Sequence, residues 1–248
     1  MINPFEGYEQ IIHAWQELDY SKLDKVPVEQ SLLPLKLFLL GREQEGSELL
    51  EEIGYQFVSN TDNAFILEAR LVSTPFEPGS NDPVKMSSEV VSLFDRAYFA
   101  NITLAEDAIK REDPLQAINF YQKALTIAPN SQKITSDYIY TCILGEKMNL
   151  GIRYAGLLRS RKDYYVALAG CLTLSNLYGK AGLAVFLALL SILFPWCLLV
   201  FIPGLIFFGY EFIVSIKAEN KLMNYISKYF LMFLGGFLLL SLFMFVIL

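Results

Sequence analysis

Two stretches near the C-terminal end constrain everything else this chain can be. From Ala181 to Tyr210, 30 residues pass without a charged side chain, and from Tyr229 to Leu248 another 20. The ~30 Å hydrocarbon core of a bilayer is crossed by roughly 20 helical residues, so either run is long enough to span it. A buried core helix is usually amphipathic, whereas these runs are apolar all round. Residues 180–210 are therefore expected to form a first transmembrane segment kinked by Pro195, Pro203 and Gly204, with a re-entrant hairpin turning near Pro203 as the alternative. Residues 229–248 are expected to form a second. Within it, Gly235, Gly236 and Ser241 are the small side chains that would let another helix approach closely.

The charges lie elsewhere. Of 26 acids and 20 bases, 24 and 17 fall in residues 1–180, and only the last 68 residues carry the oily excess. This division excludes a fully water-soluble enzyme and equally a many-span transporter. The stretch 211–228 joins the two runs. Its apolar residues Ile213, Ile216, Met223 and Ile226 share a helical stripe, and Lys217, Glu219, Lys221 and Lys228 fall outside it. It reads either as an interfacial amphipathic helix or as a plain connector with snorkelling lysines.

The N-terminus, Met1-Ile2-Asn3-Pro4-Phe5-Glu6, lacks the basic start and apolar stretch of a secretory signal. Arg153, Arg159, Arg161, Lys162 and Lys180 precede the first apolar run, and three lysines lie in the connector. By the positive-inside rule the large N-terminal part is expected on the cytoplasmic side. Cys142, Cys171 and Cys197 fit no disulfide or metal spacing, which agrees with a reducing compartment. Residues 1–130 sum to a charge of −11 and residues 131–180 to +4. The basic end is thus expected to lie against anionic lipid, with Arg159, Arg161, Lys162 and Lys180 as headgroup contacts. A net charge of −6 argues against nucleic acid as a partner.

Within the polar part, periodicity is helical. Leu104 to Lys110 and Pro114 to Leu125 read as two helices joined by a short turn. Asp113 and Pro114 supply an N-cap and a first-turn proline, and Pro129 a stop. Ala117, Tyr121 and Ala124 form one stripe at i, i+4 and i+7. This segment resembles the tetratricopeptide repeat, with Leu104, Ala105, Ala117, Tyr121, Ala124 and Pro129 at the repeat's Leu, small, Ala, aromatic, Ala and Pro places. It departs at the early aromatic place, occupied by Asn101. A step of 34 residues from Ala117 reaches Gly151, followed by Ala155 and Leu158. A further first helix is expected from Val166 to Tyr178, and a degenerate unit upstream from Leu32 to Ile53, with Gly41 and Gly46 at its turn and small-residue places.

The organisation expected is an N-terminal capping helix in 1–26 with the stripe Tyr8, Ile11, Ile12, Trp15 and Leu18. A degenerate repeat region then covers 27–97, with a loop near 73–88, and tetratricopeptide-like repeats cover 98–179. The fold class is all-α: a helical-hairpin solenoid followed by two C-terminal transmembrane helices. A fragment of residues 1–179 is expected to stay soluble and helical.

No constellation of residues suggests chemistry. His13 is the sole histidine, and no phosphate-binding glycine loop or nucleophile elbow is present. No catalytic residue, cofactor or metal site is expected. The resemblance implies instead a concave groove lined by the first helix of each hairpin, here Phe99, Ile102, Glu106 and Ile109, then Lys133, Ser136, Tyr140 and Ile143. These residues suit an apolar or amphipathic helix better than an acidic peptide. The chain is accordingly expected to be a scaffold or assembly factor that recruits a protein partner to a membrane complex, with an accessory or structural subunit of such a complex as the alternative.

Overall fold

A computed structural model describes residues 4–53, 60–73, 82–193 and 198–247, with side chains described in the last three helices outside 184, 187–193, 198–202 and 237–247. The described residues are helical or lie in turns, with no strand, so the chain is all-α. It divides into two compact units, Met1–Ser131 and Gln132–Leu248. This boundary falls inside the stretch 98–179 that the sequence grouped together.

The first unit holds α1 (Pro4–Gln16), α2 (Tyr20–Lys25), a 3-10 turn (Gln30–Leu32), α3 (Leu33–Leu39), α4 (Glu43–Ile53), α5 (Asn60–Ser73), α6 (Pro83–Leu93), α7 (Tyr98–Lys110) and α8 (Pro114–Ile127). Its core is aromatic. Tyr8 stacks on Phe65 with ring centroids 5.4 Å apart, and Phe94 meets both rings edge-on. Of the N-terminal stripe, Tyr8, Ile11 and Ile12 are fully buried, whereas Leu18 is exposed because its left-handed backbone (φ 56°) ends α1. The N-terminal segment is thus two helices. Of the loop expected near 73–88, residues 74–81 lie outside the described residues; α6 starts at Pro83, capped by the Asp82 side chain accepting from the Val84 N–H.

The second unit holds α9 (Gln132–Leu144), α10 (Met148–Ala155), α11 (Arg161–Leu174), α12 (Leu177–Leu193), α13 (Leu198–Lys217) and α14 (Lys221–Ile247). The helix read from Val166 to Tyr178 starts earlier, at Arg161, where the Ser160 hydroxyl accepts from the Asp163 N–H, and ends at Leu174. The first apolar run is shared between α12 and α13, and Pro203 lies within α13 rather than at a hairpin turn. Among the described residues no helix is long and apolar enough to cross a membrane. The middle of the first charge-free run, 187–202, and the second half of the other, 237–247, lie outside the described side chains.

One turn recurs in both units. Leu18, Gly41, Glu112, Glu146 and Glu219 each follow a helix with φ between 52° and 76°. In each case the next N–H bonds back to the carbonyl five residues earlier, as Asp113 does to Ala108 and Asn220 to Ser215. This is the left-handed helix stop in which two orphan carbonyls are satisfied. The residue after it opens the next helix: Asp19, Asp113 and Asn220 accept from N–H groups of α2, α8 and α14 through their side chains. The turn between α13 and α14 is thus built like the turns of the preceding hairpins.

Candidate functional site

In the first unit the candidate groove residues Phe99, Ile102, Glu106 and Ile109 lie on α7, all half-buried. Phe99 packs on Trp15 of α1, ring centroids 5.4 Å apart. What positions α7 is a device at its N-terminus. Ala97 offers no side-chain cap. Instead the Tyr8 hydroxyl accepts the Tyr98 N–H at 2.6 Å, and Glu68 Oε1 accepts those of Phe99 and Ala100 at 2.7 and 3.3 Å. Three orphan donors of one helix are thus satisfied by two others. Glu68 is fully buried, and its Oε2 meets no hydrogen-bond partner among the described residues. Burial pushes this carboxyl up to about 7, against the lowering pull of the Tyr8 hydroxyl and the two backbone N–H groups. Asn101 is also buried; its Nδ2 donates to the Asp95 and Ala97 carbonyls and holds the turn before α7.

In the second unit the candidate residues Lys133, Ser136, Tyr140 and Ile143 lie on α9, and the first two turns of α14 pack against this helix. Ile139, Ile143, Ala167, Cys171, Leu222 and Ile226 belong to one buried core. Tyr140 meets Tyr225 edge-on at 5.4 Å, and the Ser136 hydroxyl donates to Asn220 Oδ1 at 3.1 Å. Two glycines make room. A Cβ on Gly170 would lie 2.5 Å from Ile226 Cδ1, and one on Gly151 would lie 2.6 Å from Cys171 Sγ. The Ser136, Tyr140 and Ile143 side of α9 therefore packs against the chain's own helix, while Lys133 stays exposed. The sequence placed Met223 and Ile226 on a connector stripe and missed Leu222. The signal was there, an apolar stripe directly after a helix stop, but nothing in the stripe says whether lipid or protein covers it.

Beside Lys133 and Ser136 is a cavity of about 270 Å3 that also meets Asp137, Asp163 and Glu219. No group of side chains among the described residues is arranged to hold a metal ion. Burial pushes the Cys142 and Cys171 thiols up to about 12, which leaves them poor nucleophiles. His13 is half-buried on α1.

Of the residues assigned to lipid headgroups, Arg159 and Arg161 are exposed. Lys162 is exposed as well and donates to both oxygens of Glu211 on α13, at 2.8 and 2.9 Å. The Glu211 side chain is 7% exposed, and a carboxylate buried so far requires such a partner. Lys180 sits 5.7 Å above the Tyr229 ring. A Cβ on Gly235 or Gly236 would meet nothing within 4 Å among the described residues, whereas one on Gly204 would touch Leu234. α13 thus comes into contact with α14 at Gly204. The Ser241 side chain lies outside the described residues.

Large apolar side chains face outward on the same helices: Leu177, Val185 and Phe186 on α12, Ile206, Phe207 and Ile213 on α13, and Met232 on α14. No protein-family model matches the chain, and neither a curated protein nor a solved structure is detectably similar to it.

Proposed function

We propose that this protein is a membrane-anchored, tetratricopeptide-like helical scaffold or assembly factor. Its hairpins stand on the cytoplasmic side and recruit a protein partner to a membrane complex, and α12 to α14 carry the two membrane segments. The observation that carries this reading is the outward apolar surface of those three helices, which continues into runs without charge. Exposed apolar area on that scale marks a contact with lipid or with another protein. Recruitment would act through the α7 strip of Phe99, Ile102, Glu106 and Ile109, and tethering raises the local concentration of a weak ligand.

A second reading, a constitutive accessory or structural subunit of a large membrane complex, is favoured by the face of α9. That face is already covered by Leu222, Tyr225 and Ile226 of α14 and offers little to a partner in trans. Extraction in mild detergent, followed by mass spectrometry of co-purifying chains, separates the two. A scaffold gives substoichiometric partners that Ile102→Glu releases by tenfold or more while the circular dichroism spectrum is kept. A stoichiometric complex that survives high salt and Ile102→Glu overturns it in favour of the subunit.

A further inference from the structure

The first two turns of α14 have two faces. Leu222, Met223 and Ile226 are buried against the hairpins, whereas Lys221, Asn224, Tyr225 and Lys228, at i, i+3, i+4 and i+7, line a cleft of about 580 Å3. Tyr140 of α9 and Ser215 and Ile216 of α13 complete its wall. Lys221 is close enough to Tyr140 for its charge to act on that hydroxyl. The lining holds one acid, Glu219, against two lysines, and beyond it exposed Lys217, directly after Ile216, offsets Asp137, whose charge also acts on the Tyr140 hydroxyl. Asn220 Oδ1 already accepts from Ser136 and from the Met223 N–H, which leaves the Nδ2 protons as the part of that side chain that can serve a ligand.

The cleft is polar at one end only. Ile216 opens onto a stripe on the same face of α13, at spacings of three and four residues, where Ile213, Tyr210 and Ile206 are 57%, 65% and 68% exposed. A soluble phosphate compound would leave that stripe in water. A lipid would cover it.

Resting on the membrane-anchored reading above, we propose that this cleft binds the phosphate headgroup of an anionic membrane lipid, with Lys221 and Lys228 holding the phosphate and an acyl chain lying along the Ile216, Ile213 and Ile206 stripe. The lysine stems are long enough to converge on one headgroup from positions two turns apart. Asn224 and the Tyr140 and Tyr225 hydroxyls supply neutral donors beside them.

The test uses the full chain reconstituted in vesicles of phosphatidylcholine alone or mixed with phosphatidylglycerol. Flotation reports anchoring, and native mass spectrometry after mild extraction reports which lipid is retained. The wild type is expected to float with both vesicles and to retain phosphatidylglycerol selectively. Lys221→Ala/Lys228→Ala is expected to float equally well, with an unchanged circular dichroism spectrum, and to lose about fivefold in selection per lysine. Lys228→Gln alone, at an exposed position, gives the same reading if the double variant misfolds. Arg159→Ala/Arg161→Ala is expected to keep the selection. Flotation without selection, selection untouched by the lysine variants, or selection abolished by the arginine variant overturns the site and leaves the anchor standing. Competition by inorganic phosphate as strong as that by the lipid assigns the cleft to a free anion and overturns the lipid. Failure to float with any vesicle overturns both readings.

Discussion

At the scale of the residue, Glu68 is the most consequential side chain in the first unit. One oxygen caps α7 and the other is buried without a partner, so ionisation is favoured by two N–H dipoles and opposed by desolvation. Desolvation wins, since the carboxyl is raised from 4.5 to about 7. A group whose folded pKa is raised binds its proton more tightly when folded. Its contribution to stability is therefore complete below about 4.5 and is lost as the pH rises through about 7. The chain's melting temperature is expected to fall over this window, with a slope of at most about 1.4 kcal/mol per pH unit from this group. Glu68→Gln is expected to flatten that slope in differential scanning fluorimetry. A slope unchanged by the substitution would show that Glu68 titrates normally. Glu68 is not legible in the sequence because α5 looks like any amphipathic helix carrying an acid. Only the arrival of Tyr8 and of the α7 N-terminus from distant segments makes it special.

At the scale of the element, the hairpin turns explain which boundaries were legible. The start of α8 was, because Asp113 and Pro114 are local signals for a helix start. Gly41 likewise announces its left-handed stop. Leu18, Glu112, Glu146 and Glu219 do not, since nothing about leucine or glutamate marks a positive φ. At these places the pull of the two packed helices overrides a local preference of about 1–2 kcal/mol. Glu112→Gly and Glu146→Gly are each expected to raise stability by about 1 kcal/mol, and Gly41→Ala to lower it similarly, in thermal unfolding followed by circular dichroism. No gain from either glutamate replacement would mean that those turns are not left-handed in solution. The boundaries of α11 and the shared run of α12 and α13 were misplaced for a related reason. Apolar residues on both sides of Gly179 hide the break at Ser175 and Asn176, where the Asn176 side chain accepts from the Gly179 N–H.

At the scale of the whole molecule, hydropathy placed the division of the chain near residue 180, whereas packing places it at 131. The helical class follows from periodicity alone. The division does not, because Leu222 and Ile226 come from beyond the first charge-free run to complete the core under α9 and α11. Burying a large aliphatic side chain is worth roughly 1.5–3 kcal/mol, so Leu222, Met223 and Ile226 together supply several kcal/mol, comparable with the whole stability of a small domain. A fragment ending at residue 179 is therefore expected to keep the first unit folded and to lose α9 to α11, contrary to its helical, soluble reading by sequence. Hydrogen exchange on the fragment is expected to show α9 to α11 exchanging at least tenfold faster than in the full chain. Equal protection would show that α14 is dispensable to that core.

The packing of α14 has a mechanical consequence. It is one helix of 27 residues, about 40 Å long, whose first two turns are set among α9 and α11. Such a helix behaves as a beam built in at one end. There is no slack between its base and its outer turns to absorb a tilt. A load applied to the far end, from whatever surrounds it, arrives as torque on Ile226 and Gly170, where a gap of less than a methyl group separates the two helices.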